Sequence, residues 1–245
     1  MAKIAVIIVA AGKGERFGGN EKKTFANIDG QPMFIRTIQH FLNRDDICQV
    51  ILVIAPEDDE HVRQKFGPNL AFMGVKGVTG GATRTDSVAN GLEAVAEEAE
   101  LIAIHDAARP CVSKAMIDAV FDEATKSGAA ILAAPLTGTI KQVSDAGTID
   151  QTASREGLWE AQTPQVFKRS VIEEAYAKRS EFEGDPTDDA QLVEVIGHPV
   201  AVVKSDFTNI KVTTRPDMTL AGAIIRTRPI DKPKAPRSPF EEAQW

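Results

Sequence analysis

The chain has 245 residues, 43% of them hydrophobic and only 6% aromatic, which is enough apolar material for the core of one α/β domain. The 28 Lys and Arg residues stand against 35 Asp and Glu residues, and the resulting formal net charge of -7 argues against nucleic acid as a partner. The two cysteines, Cys48 and Cys111, lie far apart without C-x-x-C spacing, so a disulfide framework or a zinc site has no support and a reducing compartment fits.

The first predicted element is a strand at Ile4–Val9. A lysine before apolar residues that end in small ones also occurs in signal peptides. The apolar run from Ile4 to Ala11 is too short to span a bilayer, however, and it leads directly into a glycine-rich segment. We therefore predict a buried parallel strand, a cytoplasmic protein and no membrane partner.

That glycine-rich segment, VAAGKGERFGG, carries two glycines at the spacing of an anion site. Gly12 and Gly14 allow backbone N–H groups to approach a phosphate closely. The dinucleotide fingerprint G-x-G-x-x-G fails because position 17 is Phe17, and the G-K-[ST] ending of a P-loop is absent. We predict a triphosphate site that uses the cations after the glycines, although a loop whose glycines serve only a turn stays open. These cations are Arg16, Lys22 and Lys23.

Short apolar runs alternate with longer segments of helical period along the rest of the chain. This alternation predicts an α/β fold with a mostly parallel sheet covered by helices on both faces. For the last helix we expect Thr187 as N-cap, Asp188 and Asp189 in the first turn, and Gly197 just past the end. Further strands are predicted at Val50–Ala55, Leu101–His105, Ala129–Ala134 and Val200–Lys204. Helices are predicted at Pro32–Leu42, Thr83–Glu98, Lys114–Lys126 and Thr187–Ile196.

Two segments depart from this rhythm. The runs TIKQVS and TIDQTAS flank the turn residues Asp145-Ala146-Gly147, which predicts an inserted β-hairpin arm at about residues 136–157. Because the arm is mostly polar, we expect it to pack on a partner subunit. From Arg226 the chain holds four prolines and many charges, so we expect no helix interior there. The expected division is one domain at 1–228 and a flexible tail at 229–245.

Five segments in order resemble known families. The opening A-A-G-x-G-x-R is similar to the signature of sugar-nucleotide pyrophosphorylases. The others resemble the 2-C-methyl-D-erythritol 4-phosphate cytidylyltransferase family, which usually has Pro-Lys-Gln where this chain has Lys22-Lys23-Thr24. They are GGATRTDSVANGL at Gly80–Leu92, HDAARP at His105–Pro110, SREGLWEAQTPQVF at Ser154–Phe167, and PTDDA at Pro186–Ala190 with NIKVTT at Asn209–Thr214.

The resemblance implies a Rossmann-like fold of the nucleotide-diphospho-sugar transferase type. It also implies transfer of CMP from CTP to 2-C-methyl-D-erythritol 4-phosphate, with release of pyrophosphate, in non-mevalonate isoprenoid biosynthesis. Mg²⁺ or another divalent cation and a homodimer with shared active sites belong to the same expectation. Two alternatives stay open: a ribitol 5-phosphate cytidylyltransferase, and a nucleotide-binding regulator without turnover. A nicotinamide dehydrogenase fails at Phe17.

The resemblance also implies a set of site residues. Asp106 would hold the metal, since ligands collect at strand ends and Mg²⁺ prefers one or two carboxylates plus phosphate oxygens; a turn before Pro110 is its alternative role. His105 is expected to be a structural neighbour rather than a base. Arg84 would support the nucleotide loop. Ser87 would contact the nucleotide, unless Ser87 and Thr83 merely cap a helix. The catalytic residues would be Arg16, Lys23 and Lys211. The nucleotide-binding residues would be Ala10, Ala11, Gly12, Gly14, Gly81, Ala82, Ser87 and Ala107. The acceptor-binding residues would be Arg109, Thr139, Arg155 and Thr187, with Arg155 supplied by the other subunit.

Overall fold

A computed structural model of the protein describes residues 1–12, 17 and 22–228. Its strands and helices alternate along the chain, apart from one pair of short strands and one hairpin. The strands are β1 (Ile4–Val9), β2 (Asn27–Ile28), β3 (Gln31–Pro32), β4 (Ile47–Ile54), β5 (Val75–Thr79), β6 (Leu101–Asp106), β7 (Ala129–Pro135), β8 (Ile140–Val143), β9 (Ile149–Ala153), β10 (Trp159–Lys168) and β11 (Ala201–Lys204). The helices are α1 (Met33–Gln39), α2 (Asp59–Phe72), α3 (Arg84–Glu93), α4 (Lys114–Ser127), α5 (Arg169–Ala177), α6 (Asp189–Val195) and α7 (Arg215–Thr227).

One seven-stranded sheet in the order β11-β7-β10-β6-β1-β4-β5 organises the fold. β1 pairs in parallel with β4 and with β6, β4 with β5, and β7 with β11. Only β10 runs antiparallel to its neighbours β6 and β7. The predicted mostly parallel sheet is therefore confirmed, and each of the five predicted strands is present within a few residues of its expected ends. The prediction missed β5 and β10, and the helices α2, α5 and α7.

Both faces of the sheet are covered, which explains the apolar runs in its central strands. In β1, Val6 and Ile8 pack under α1, α2 and α4, whereas Ala5 and Ile7 pack under α3, α5 and α6. Each isoleucine of this strand is almost fully buried. Burial of such a side chain stabilises the fold by about 1.5–3 kcal/mol. Alternate side chains of β1 therefore pack against the two helical layers, one on each face of the sheet.

The ends of α3 and α6 differ from the sequence prediction, and α7 was not predicted. The N-cap of α6 is Asp188, not Thr187, because the Asp188 side chain accepts the Gln191 N–H at 3.0 Å. Gly197 follows the helix with a φ of 79°, as expected. Predicted from Thr83 to Glu98, α3 ends already at Glu93. The start of α7 is marked by a capping box of Thr214 and Asp217.

The C-terminal helix ends at the start of the segment for which no helix interior was expected. α7 continues to Thr227, and the Arg226 guanidinium pairs with the Asp29 carboxylate at 2.7 Å. The predicted tail at 229–245 lies outside the described residues. Among the residues that the structure does describe, no helix is long and apolar enough to cross a bilayer.

The predicted β-hairpin arm is present. β8 and β9 form a separate two-stranded antiparallel sheet, and Gly147 adopts the left-handed conformation (φ 77°) that closes its turn. Val143 and Ile149 lie opposite each other in this sheet, with exposed fractions of 54% and 62%. Two-stranded hairpins are marginally stable alone in water. The arm thus carries apolar side chains that the subunit itself does not cover.

Candidate active site

The carboxyl ends of β1, β4, β5 and β6 meet at one edge of the sheet. Val9 is in register with both Val53 and Asp106. Beyond this point the Ala10 N–H donates to the Val53 carbonyl at 2.8 Å, and the Ala107 N–H donates to the Val9 carbonyl at 3.0 Å. Ligands of open α/β sheets bind at such an edge. The structure therefore brings the predicted residues Ala10, Ala11, Gly12 and Ala107 together, whereas Gly14 and Arg16 lie outside the described residues.

The turn between β5 and α3 lies against the turn that follows β1. A Cβ atom on Gly80 would approach the Ala11 Cβ to 2.8 Å, and one on Gly81 would approach the Asp86 Cβ to 2.3 Å, so a larger residue fits at neither position. The Ser87 hydroxyl accepts the Gly81 N–H at 3.1 Å and donates to the Thr83 carbonyl at 2.8 Å. The buried Ser87 side chain thus stabilises this turn through two hydrogen bonds. The turn also contains the predicted residues Gly81 and Ala82.

Thr83 is the N-cap of α3 and forms a capping box with Asp86. The alternative role of Thr83, capping a helix, is therefore confirmed. For Ser87 the structure gives a role in holding the turn, and its contact with a nucleotide remains a prediction.

Asp106, the last residue of β6, is surrounded by three cations. The Lys211 amine lies 2.8 Å from its Oδ2, and Nε of Arg109 and of Arg84 each lie 3.6 Å from a carboxylate oxygen. Burial by itself would raise the pKa of Asp106, but the charges of Lys211, Arg84 and Arg109 lower this pKa well below its usual range. The carboxylate is therefore ionised at neutral pH and lies in a strongly cationic setting.

His105, next to Asp106, has no free nitrogen for acid–base chemistry. Its Nε2 lies 3.2 Å from the Arg109 carbonyl, which can only accept, so Nε2 carries the proton. Nδ1 consequently accepts the Thr163 hydroxyl at 2.9 Å, while the Thr163 oxygen accepts the Asp106 N–H at 3.0 Å. Burial lowers the pKa of His105 to about 3. The side chain is neutral and structural, as expected.

Arg109 is built into the wall of the site. Its guanidinium donates from Nη1 to the Asn209 carbonyl at 2.7 Å, and its Nη2 lies 3.5 Å from the Ala161 carbonyl. Asn209 is fully buried and donates in turn to the Gln162 side chain and to the Thr163 carbonyl, each at 3.0 Å. Only 6% of the Arg109 side chain is exposed. Direct binding of the acceptor by Arg109 remains a prediction.

The two neighbouring lysines of the KKT segment have different surroundings. The Lys22 amine pairs with Asp58 at 2.7 Å and with Glu57 at 3.0 Å. Lys23 is the first residue of a short 3-10 turn. Burial by itself would raise the pKa of Asp217, but hydrogen bonds from Thr213 and Thr214 lower this pKa, and the charge of Lys23 contributes to the lowering. Two carboxylates thus hold the Lys22 amine, and the catalytic role of Lys23 remains a prediction.

The remaining acceptor residues lie on exposed segments. Thr139 and Arg155 belong to the arm, and the Arg155 guanidinium donates to the Thr137 carbonyl of its own subunit. Thr187 precedes α6 and donates from its N–H to Gln191 Oε1 at 2.9 Å. Across the described part of the chain, neither arm residue bonds to the cluster around Asp106. Their roles as acceptor ligands remain predictions.

A lone carboxylate defines what metal chemistry the site can support. The described residues contain no group of three or more His, Cys, Asp or Glu side chains that could hold a metal ion. Asp106 by itself fits a Mg²⁺ ion that takes its other ligands from phosphate oxygens and water, the usual arrangement for this ion. The residues fit Mg²⁺ bound together with a nucleotide, and do not form an all-protein metal site.

The site combines three features at one edge of an α/β sheet: a turn of small residues after β1, a second turn after β5, and one carboxylate surrounded by cations. This combination is typical of a nucleotidyltransferase site. The sequence profile of the family described as "IspD: 2-C-methyl-D-erythritol 4-phosphate cytidylyltransferase" matches residues 4–227. The chain belongs to this family and is a cytidylyltransferase.

Relatives of this name cover nearly the whole chain. The protein of Alkaliphilus oremlandii is 38% identical over 93% of this chain and 97% of its own length. That of Rhodopirellula baltica is 41% identical, over 91% of this chain and 95% of its own. Among solved structures, the Thermus thermophilus 2-C-methyl-D-erythritol 4-phosphate cytidylyltransferase is 30% identical with a TM-score of 0.75, covering 90% of this chain and 98% of that one. The Anaerococcus prevotii 4-diphosphocytidyl-2C-methyl-D-erythritol synthase is also 30% identical, with a TM-score of 0.77, covering 92% and 96%.

Proposed function

We propose that this chain transfers the CMP group of CTP to 2-C-methyl-D-erythritol 4-phosphate, yielding 4-diphosphocytidyl-2-C-methyl-D-erythritol and pyrophosphate in non-mevalonate isoprenoid biosynthesis. The observation that carries this proposal is the family match over residues 4–227, whose sequence segments converge on Asp106 and its three cations at the sheet edge. The two cysteines are free thiols, which fits a cytoplasmic location.

The reaction needs no general base from the protein. A phosphate monoester has a second pKa of about 6, so the acceptor is already largely a dianion at neutral pH. One of its oxygens attacks the α-phosphorus of CTP in line, the new O–P bond forms, and the bond from the α-phosphorus to the bridging oxygen breaks. Pyrophosphate leaves with that electron pair. The neutral, hydrogen-bonded state of His105 is consistent with this scheme.

Catalysis then consists of positioning and charge stabilisation. Lys211, Lys23 and Arg16 would stabilise the additional negative charge on the α-phosphate in the transition state. The 2.8 Å ion pair with Asp106 supports this role for Lys211, because it keeps the amine at the edge where a triphosphate would bind. The small residues of the two turns would admit the triphosphate and the cytosine: Ala10, Ala11, Gly12, Gly14, Gly81, Ala82, Ser87 and Ala107.

Asp106 would hold Mg²⁺ together with phosphate oxygens of CTP. When bound, the ion neutralises charge on the triphosphate and on the leaving pyrophosphate. The backbone of Asp106 is fixed at the end of β6, because its N–H donates a hydrogen bond to the Thr163 hydroxyl oxygen.

The acceptor would be bound by Arg109, Thr187 and the two arm residues Thr139 and Arg155. We further propose a homodimer in which the arm reaches the neighbouring subunit. The support is the set of apolar side chains that the arm and its base leave exposed, because a closed two-fold dimer would cover such a surface. They are Val143, Ile149, Leu158 and Trp159.

Pyrophosphate release tests the function directly. We expect turnover with CTP and 2-C-methyl-D-erythritol 4-phosphate, and little with ATP, GTP or UTP, or with ribitol 5-phosphate as acceptor. Faster turnover with ribitol 5-phosphate would replace the proposed acceptor. Tight CTP binding without turnover on any polyol phosphate would instead favour the nucleotide-binding regulator.

A further inference from the structure

Three segments of the site meet at one side chain, that of Arg84. Arg84 is the first residue of α3 and follows the turn assigned to the nucleotide. Its Nη2 donates to Oδ2 of Asp189 at 2.7 Å, while its Nε lies 3.6 Å from Oδ1 of Asp106. One guanidinium thus joins the nucleotide turn, the carboxylate at the end of β6 and the start of α6.

Asp189 is the buried end of this connection. Its side chain is 0% exposed, and its Oδ1 accepts the Tyr176 hydroxyl at 2.6 Å. Gln165 accepts the Asp189 N–H at 3.1 Å, which fixes the backbone at the start of α6. A buried carboxylate must be paired and hydrogen-bonded to be tolerated. In the described part of the chain, Arg84 is the only cation in an ion pair with it.

Asp189 lies close in sequence to a proposed acceptor-binding residue. Thr187, a proposed acceptor-binding residue, lies two residues before Asp189 and immediately before the N-cap of α6. A shift of this segment on acceptor binding would move the Asp189 carboxylate, and the short ion pair would carry that shift to Arg84. Arg84 would pass it to the nucleotide turn, since the two are adjacent in sequence.

We infer that Asp189 is a positioning residue that acts through Arg84 to couple the acceptor segment to the nucleotide turn and Asp106, so that CTP and the acceptor strengthen each other's binding. This inference rests on the proposed function, because it uses the two substrates assigned there. Coupling between two ligands is reciprocal and typically amounts to a factor of about 5 to 150 in affinity.

The test measures acceptor affinity by calorimetry with and without a saturating, unreactive CTP analogue, the α,β-methylene triphosphate, in the presence of Mg²⁺. In the wild-type chain the analogue should tighten the binding of 2-C-methyl-D-erythritol 4-phosphate at least about fivefold. Asp189→Asn keeps the size of the side chain but removes the ion pair, and should reduce this factor to near one. The matched control is Asp46→Asn, which removes a 2.7 Å pair with Arg44 remote from the site and should retain the wild-type factor.

A second variant covers the case in which Asp189→Asn does not fold, as judged by its melting temperature. Tyr176→Phe removes only the hydroxyl that donates to Asp189 and should lower the coupling factor part of the way. An unchanged factor in folded Asp189→Asn or Tyr176→Phe overturns the inference, as does a wild-type factor of one. If wild-type turnover persists in that case, the proposed function stands and only the coupling fails; absence of turnover removes the function itself.

Discussion

The amine of Lys211 lies 2.8 Å from the carboxylate of Asp106, although the two residues belong to motifs about a hundred residues apart in the chain, NIKVTT and HDAARP. The side chain expected to stabilise the reacting phosphate and the one expected to hold the metal are therefore already in contact. Binding of a metal–nucleotide complex must exchange this ion pair for contacts with phosphate oxygens. Several consequences of this arrangement can be measured.

Replacement of Lys211 by methionine removes the charge and keeps most of the aliphatic chain. We expect kcat to fall by about 10²–10³, the range seen when one donor to a transition-state charge is lost. The affinity for CTP should change much less. Lys204→Met provides the control, since Lys204 is an exposed lysine at the end of β11. Equal kcat values in the two variants would remove Lys211 from the catalytic set.

The two lysines of the KKT segment should differ sharply in their effect on turnover. Lys23→Met should lower kcat strongly, because Lys23 is the proposed phosphate ligand. Lys22→Met breaks a surface pair with Glu57, worth roughly 0–1 kcal/mol, and a part-buried pair with Asp58, whose loss should lower stability; kcat should stay within a few-fold of wild type. Steady-state kinetics on both variants decide the matter, and a larger loss in Lys22→Met would reverse the assignment.

Metal binding should depend on the nucleotide. One carboxylate faces three cations in the site, so a free divalent ion is repelled unless a triphosphate brings compensating negative charge. Calorimetry with Mg²⁺ alone should give no measurable binding, whereas Mg²⁺ with CTP should bind. Turnover should stop in excess EDTA and be strongly reduced in Asp106→Asn. Turnover that continues in EDTA would exclude the metal, and tight Mg²⁺ binding without CTP would contradict the electrostatic argument.

His105 should stay neutral over the working pH range. Burial places its pKa at about 3, far below the usual value of 6.5, so the unfolded chain binds a proton that the native site does not. The His105 contribution to stability is therefore full above pH 6.5 and is lost as the pH falls from 6.5 towards 3. Nitrogen NMR should show one Nε2–H tautomer from pH 8 to pH 5. Protonation of His105 in the folded protein near pH 6.5 would contradict the assignment.

The proposed sharing of active sites between two subunits can be tested by complementation. Arg155→Ala and Lys23→Ala should each be inactive alone, but a mixture should regain turnover after subunit exchange. In a heterodimer one site carries both changes and the other neither, so about a quarter of all sites should be intact for random pairing of equal amounts. Exchange is verified by mass spectrometry. If turnover is not recovered although exchange has occurred, Arg155 acts in the site of its own subunit or in no site. A protein that is monomeric at micromolar concentration would refute the proposed dimer.

Local patterns in the sequence determined much of this fold. The apolar runs of β1, β4, β6 and β7 predicted buried strands because each must face a helical layer on both sides. The turn at Asp145-Ala146-Gly147 predicted the arm because its glycine closes the hairpin in the left-handed conformation. The position of Asp106 at a strand end followed from the same reasoning. These features depend on residues that are neighbours in the chain, so they can be predicted from the local sequence.

The tertiary structure alone decided the contacts between distant segments. The first three residues of β10 are exposed and the strand contains Pro164, so neither its presence nor its antiparallel direction shows in the local pattern. The pairing of Arg84 with Asp189 and the burial of Arg109 on the Asn209 carbonyl join segments about a hundred residues apart. An isolated Arg or Asp carries no sign of its partner, because the pairing exists only after packing has brought both helices or strands to the same edge of the sheet.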